Sequence, residues 1–489
     1  MQKISKLLIA NRGEIALRII RACKELDIRT VVAFSEADVN GVWVVKADEC
    51  YPIVGNPIDA YLKYERIIDI AKKSGCDAIH PGYGFLSESA EFAQACEDNG
   101  LIFVGPKPHH IELFGDKMAS KVAMKKIGVP VLEGTDTPVL DIKEGEKIAQ
   151  EIGFPVIIKA AFGGGGRGMR IVHEAKEFSN MFESATNESL KYFGKGDVFI
   201  EKYVQNPRHI EIQVIADKYG NVLHLGERDC SIQRRHQKVI EITPSPLLNA
   251  SVREKLAKIS TDAMKKLGYE SVGTVEFLVD DKDNAFFIEM NTRVQVEHPV
   301  TEITTGIDII QRMIEIAAGD KLKFQQDEIV FRGYAIEFRI NSEDPQKNFM
   351  PTAGSVKKYL TPGGPGVRLD TSLYAGYELP TCYDSMVGKL IVWALDWEGA
   401  VKKAKRALDE FHIEGFQTNI PLHREIVRDE KFIAGRFDTS YLDQNLQKFN
   451  LDAQHSIEDE EKKAQELLQM LQTIKENNLV SLQNNFTLY

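Results

Sequence analysis

Residues 286–298, FFIEMNTRVQVEH, constrain the fold of this chain more than any other stretch. The even positions Phe286, Ile288, Met290, Val294 and Val296 are apolar, with Thr292 and the closing His298 the exceptions. From Glu289 the odd positions are Glu289, Asn291, Arg293, Gln295 and Glu297. Successive side chains of an extended segment point to opposite faces. One side is therefore expected against a core, and the other presents two carboxylates, a guanidinium and two amides in file. A solvated edge strand would instead carry Lys, Thr and Ser. At ~3.3 Å per residue the file from Glu289 to Glu297 spans roughly 26 Å, more than one small substrate needs. The run is thus expected to bend and serve two adjacent subsites. Metal and phosphate belong at the Glu289/Asn291 end, a small anion at the Arg293/Glu297 end.

At 489 residues the chain exceeds one ordinary core, so two to four domains are expected. The net charge of −11 argues against a nucleic-acid binder, despite the local run Arg234-Arg235-His236. The six cysteines are scattered, without CxxC or metal-ligand spacing, as suits small buried hydrophobes in a reducing compartment. No apolar run approaches the roughly eighteen residues of a membrane span, and KISKLLIAN reads as a strand too short for a signal segment. The expectation is a cytoplasmic protein that engages no membrane.

The fold class expected is α/β and α+β in four parts. Residues 1–114 alternate strand-like runs (KLLIA, TVVAF, AIHPG, LIFVG) with amphipathic helices such as GEIALRIIRACKEL, which implies a parallel sheet with crossover helices. No GxGxxG follows the first strand, so a dinucleotide is not indicated. Residues 115–330 follow, with a lid over about 131–203. There, FPVIIKAAFGGGGRGMRIV is strand, glycine loop, strand. Gly163, Gly165 and Gly168 formally match GxGxxG, but no helix follows, so the loop is expected to be a mobile hairpin tip that covers phosphates with backbone N–H groups. VFIEKYVQ is expected to pair with HIEIQVIAD, and TVEFLVDD with NAFFIEMN. In HIEIQVI, His209, Glu211 and Gln213 share a face. Residues 331–447 read as a small α+β domain. The tail, 448–489, reads as an amphipathic helix, with Ser456 and Asp459 at capping-box spacing and a stripe of Leu467, Leu468, Met470, Leu471 and Ile474.

Glu276 and Glu289 are expected on adjacent strands around a tight turn, with Asn291 two residues on. Hard oxygen ligands of this kind suit Mg²⁺ (or Mn²⁺) bridging ATP phosphates. Like charges face each other stably only when a cation intervenes. Lys117 and Lys159 supply cations for phosphate. There is no GxxxxGK[ST], which excludes a P-loop enzyme. The run 227–238, ERDCSIQRRHQK, brings Gln233, His236 and Lys238 toward the same cleft.

Together ANRGEIA, HPGYGFLSE, GGGGRGM, EKY, HIEIQV, ERDCSIQRRHQK, EMNTRVQVEHPVTE, GYAIEFRINSEDP and YDSMVGKL resemble the ATP-grasp enzymes, and within them the biotin carboxylases, from residue 1 to about 445. The resemblance implies that Glu201 and the backbone of Lys202 and Tyr203 hold adenine. It implies that Lys117, Lys159, the loop of Gly163, Gly164, Gly165, Gly166 and Gly168, His209, Gln233 and His236 contact ATP. Glu276, Glu289 and Asn291 would carry the metal. Lys238, Arg293, Gln295 and the backbone of Val296 would hold bicarbonate, Glu297 would be its general base, and Arg339 would stabilise the biotin enolate.

No biotin-acceptor AMKM occurs, and no carboxyltransferase-sized segment remains. The resemblance therefore implies a homodimeric subunit whose biotin arrives on a separate carrier protein, working with a carboxyltransferase subunit. The helical extension leans toward pyruvate or 2-oxoglutarate carboxylase rather than acetyl-CoA carboxylase. Two rivals are another ATP-grasp carboxylate or carbamoyl ligase and a non-catalytic ATP-binding subunit. The first lacks RRHQK and the Arg339 segment, and the second would lose a metal carboxylate or the base.

Overall fold

A computed structural model of the protein describes residues 3–160, 169–193, 196–452, 462 and 465–474. The N-terminal alternation folds, as expected, into a five-stranded parallel sheet. Its order is Glu49–Ile53, Arg29–Ser35, Lys6–Ile9, Ala78–His80, Ile102–Phe103. The edge strand Glu49–Ile53 was not legible in the sequence. It carries Pro52, which an edge tolerates because one side of the ladder needs no N–H donor. The order of the strands reverses beside Lys6–Ile9, and such a switch point opens a crevice at the carboxyl ends of the strands. The loops after Lys6–Ile9 and Ala78–His80 meet there. Asn11 Nδ2 donates to the carbonyls of Pro81 at 2.7 Å and Tyr83 at 2.8 Å. Gly82 sits at φ +65° with Asn11 against it, so a side chain would break this join.

An eight-stranded sheet lies across the crevice. Its order is Ala285–Asn291, Ser271–Val279, Arg208–Ala216, Val222–Arg234, Gln237–Thr243, Tyr334–Asn341, Met386–Ala394, Val367–Thr371. The sheet runs without a break through residue 331, because Gln237–Thr243 pairs directly with Tyr334–Asn341 (Ile240 opposite Phe338). The residues beyond 331 thus extend the sheet of the residues before it, with the helix Trp397–Glu410 packed on one side. Apolar side chains of both layers merge in one core, where Leu7, Ile15 and Ile19 cluster with Val272, Ile309 and Met313.

Two expectations need correction. Val198–Lys202 does not pair with Arg208–Ala216; it joins Val156–Ala160 and Arg170–Val172 in a separate three-stranded antiparallel sheet. Between them Asn206 turns left-handed at φ 47°, directly before Pro207, and sends the chain to the other sheet. The alternation in 286–298 is also interrupted. Glu276 pairs with Glu289, but Phe277 pairs with Phe287, so one extra residue bulges out at Ile288. Phe287 is therefore in the core, whereas Phe286 and Ile288 are only half-buried. The strand itself ends at Asn291, which is the expected bend.

The glycine loop and the Ser456/Asp459 cap lie outside the described residues. Residues 465–474 are helical, and Leu467, Leu468, Met470, Leu471 and Ile474 are all exposed. Phe449 and Leu451, by contrast, pack on the C-terminal core. Since the described residues of the tail are exposed and contribute little to the fold, a chain cut after Asp452 is expected to keep its catalytic rate within about twofold. A cut before Phe449 should lower the melting temperature. Equal loss of activity in both truncations would place the tail in the catalytic unit. Among the described residues no helix is long and apolar enough to cross a membrane.

Candidate active site

A cleft of about 790 Å³ opens where the parallel-sheet loops face the large sheet. It gathers His209, His236, Lys238, Glu276, Glu289, Asn291, Arg293, Gln295, Val296 and Arg339 from five separate stretches of chain. Asn11, Glu14 and Tyr83 close it from the side of the parallel sheet.

Lys238 organises the floor. It follows a two-residue turn in which Arg235 (φ 51°) and His236 (φ 63°) are both left-handed, a geometry that side chains other than glycine or asparagine adopt at a cost. Its Nζ donates to Glu297 at 2.7 Å, Glu211 at 2.6 Å and Glu276 at 3.1 Å. Burial would push the lysine pKa down, but Cys230 and these three carboxylates carry it well above its usual value. Breaking such a buried pairing costs about 3–5 kcal/mol, because the partner charges remain buried.

Glu297, fully buried, precedes the helix His298–Thr305, and its other oxygen accepts from Arg339 at 2.9 Å. Burial alone would raise its pKa. Lys238, Arg339 and Arg228 outweigh that and hold the carboxyl well below the ordinary range, so it is ionised at neutral pH. Arg339 Nε donates to Glu241 at 2.5 Å. The carbonyl of Arg339 accepts from Asn419 at 2.9 Å and lies 2.8 Å from His423 Nε2. Arg293 spans the cleft edge, reaching Gln295 at 2.7 Å, Asn291 at 2.9 Å and Glu88 at 3.0 Å.

At the other end Glu276 and Glu289 are direct cross-strand partners. Glu276 is saturated by His209 at 2.6 Å, Asn291 at 2.7 Å, Gln295 at 3.1 Å and Lys238. Glu289 makes no hydrogen bond or ion pair among the described residues. Burial, and then the charge of Glu276, raise its pKa. A hard divalent cation seated there would relieve that repulsion, so these carboxylates fit Mg²⁺ or Mn²⁺. The amide oxygen of Asn291 faces Arg293, so ligation by it requires the amide to turn. Gln233 Nε2 lies 2.6 Å from His209 Nδ1 and holds the ring in place.

Lys117, Lys159, Glu201, Lys202 and Tyr203 do not line the cleft, although the charge of Lys117 acts on Glu289 and that of Lys159 on His236. Lys117 opens a helix capped by Asp116. Glu201 accepts from Lys159 at 2.7 Å and from Lys121 at 2.9 Å. Lys121 was not legible beforehand, because a lysine in the helix Lys117–Lys126 looks like ordinary surface charge. The N–H groups of Lys202 and Tyr203 already donate to the carbonyls of Glu133 and Pro155, so a purine could meet only their carbonyls. Also missed was Arg228, fully buried, which ties Glu211, Gln213, Thr274 and Thr301 together.

Residues 3–111 match the family described as biotin carboxylase, N-terminal domain, and residues 337–444 the biotin carboxylase C-terminal domain. Residues 116–325 match the carbamoyl-phosphate synthase L chain, ATP binding domain. The chain belongs to the biotin carboxylase family. Members of this family are ATP-dependent ligases. The 2-oxoglutarate carboxylase small subunit of Hydrogenobacter thermophilus is 51% identical over 93% of this chain and 96% of its own. A pyruvate carboxylase subunit of Methanothermobacter thermautotrophicus is 48% identical over 96% of this chain and 95% of its own. A crystal structure of the biotin carboxylase domain dimer of the Hydrogenobacter enzyme, with MgADP, ADP and bicarbonate, superposes with TM-score 0.89 at 52% identity. It covers 92% of this chain and 99% of that one.

Proposed function

We propose that this biotin carboxylase uses ATP and bicarbonate to carboxylate biotin on a separate carrier protein, as a subunit of a pyruvate- or 2-oxoglutarate-type carboxylase. The observation that carries the reading is the buried, ionised Glu297, gripped by Lys238 and Arg339, which line the same cleft as the Glu276/Glu289 pair. Bicarbonate would take over Lys238 and Arg293 and sit against Gln295 and the Val296 backbone. Sharing those cations with a second anion weakens their hold on Glu297 and raises its basicity. Glu297 then removes the bicarbonate proton, and the oxygen so freed attacks the γ-phosphate, giving carboxyphosphate and ADP. Carboxyphosphate breaks to CO₂ and phosphate, and the phosphate takes the proton from the ureido nitrogen of biotin. Arg339 stabilises the resulting enolate, which captures CO₂. Positioning and fixed charge supply most of the rate.

The divalent metal, held by Glu276 and Glu289 with Asn291, would neutralise charge on the phosphates of ATP. Lys117, Lys159, His209, Gln233 and His236 would complete the nucleotide side. The homodimer and the cytoplasm are part of this proposal. The first is supported by the dimeric relative and the second by six free cysteines. ATP cleavage measured with and without bicarbonate, together with carboxybiotin, tests the reading; bicarbonate-independent cleavage alone would defeat it. Glu289→Gln is expected to raise the Mg²⁺ concentration for half-maximal cleavage by at least about tenfold. An unchanged Mg²⁺ titration removes Glu289 from the metal set.

A further inference from the structure

Behind Arg339 lies a second pair of acids that the reaction sequence leaves unused. Glu241 and Glu337 are direct cross-strand partners, both fully buried. Glu241 gives one oxygen to Arg339, while its other oxygen and both oxygens of Glu337 are buried without a hydrogen-bond partner. Opposed side chains in such a pair stand roughly 4.5–5.5 Å apart at Cβ, close enough for carboxyls to touch. Lys389, on the neighbouring strand, is the opposing charge that acts most on Glu337 but makes no hydrogen bond to it: its Nζ donates to the Val296 carbonyl at 2.9 Å and pairs with Glu14 at 3.1 Å. Glu14 in turn accepts from Tyr83. On the next strand Arg368 and Asp370 pair with each other at 2.6 Å. The remaining charges facing Glu337 are Arg339 and Glu297.

We propose that Glu241 and Glu337 hold one proton between them, and that this proton keeps Arg339 available to the biotin enolate. One O–H···O bond from Glu337 to the second oxygen of Glu241 removes two of the three orphaned acceptors and the like-charge contact together. Burial lifts Glu241 to about 7 although Arg339 pulls it back. Glu337, which has no cation bonded to it, sits well above the usual range, also through burial, and keeps the proton. Loss of that proton would set a second negative charge beside Arg339 and turn its guanidinium inward. Glu241 and Glu337 are thus positioning residues. The inference rests on the enolate role of Arg339 given above.

The test measures carboxybiotin formed per ADP between about pH 7 and 9.5, a range over which a raised carboxyl can titrate. The ratio in the unaltered enzyme should fall several-fold toward alkaline pH. In Glu337→Gln, which can still donate to Glu241 but has no proton to lose, the ratio should stay flat. A parallel fall in both enzymes overturns the proposal. An enzyme that makes no carboxybiotin at any pH overturns instead the function proposed above. A readout independent of turnover is the infrared carbonyl band of a protonated carboxyl in the unaltered full-length protein at about pH 8, where ordinary carboxyls are ionised. The band is expected there, and its absence overturns the shared proton even if Glu337→Gln does not fold.

Discussion

Glu297→Gln should lower bicarbonate-dependent ATP cleavage by roughly 10²–10⁴-fold, the range for loss of a positioned general base. The substitution keeps the shape of the side chain and removes its ability to accept a proton. Lys238 keeps Glu211 and Glu276, and Arg339 keeps Glu241, so neither cation is left unpaired. The fold should therefore survive, and any slow cleavage without bicarbonate should persist. ADP release with and without bicarbonate measures both. Cleavage that still responds fully to bicarbonate would show that another group takes the proton.

Arg339→Ala should separate the two half-reactions. Carboxybiotin is expected to fall by about 10²–10³-fold, as when one charge-stabilising donor is removed. Much of the bicarbonate-dependent ADP release should remain, because Glu297 retains Lys238. The change also strips the cation from Glu241, and a buried charge left unpaired costs about 3–5 kcal/mol. Lower thermal stability is therefore expected alongside the uncoupling. ADP and carboxybiotin must be read in the same tube. Loss of both in equal proportion would mean that Arg339 acts before carboxyphosphate forms.

Much of this site was legible in the sequence because its residue types conflict with an ordinary strand. Glu289, Asn291, Arg293, Gln295 and Glu297 cannot be solvated decoration, and the structure brings all but the buried Glu297 to the wall of the cleft. The parallel sheet was legible from its alternating elements. The partner of Val198–Lys202 was not, because strand pairing is a tertiary choice and two neighbouring strands most often form a hairpin. The bulge at Ile288 was hidden because a run of Phe, Phe and Ile reads the same in either parity. Glu241 and Glu337 were hidden for the opposite reason. In KVIEIT and AIEFRI a glutamate between apolar residues looks like the wet side of a strand. The helix His298–Thr305, packed on both strands, and the loop that carries Tyr83 cover that side and make it dry.

The unbroken sheet through residue 331 has a consequence for evolution and for engineering. Lys238 and Arg339 stand on adjacent strands, whose spacing of about 4.8 Å is fixed by backbone hydrogen bonds. The group proposed to serve ATP cleavage and the group proposed to serve biotin thus cannot drift apart independently. A chimera joined at residue 331 would splice two halves of one ladder and test register before chemistry. The smallest exchangeable cassette that keeps the sheet whole is the stretch from residue 208 to 394, and natural recombination within it should be rare for the same reason.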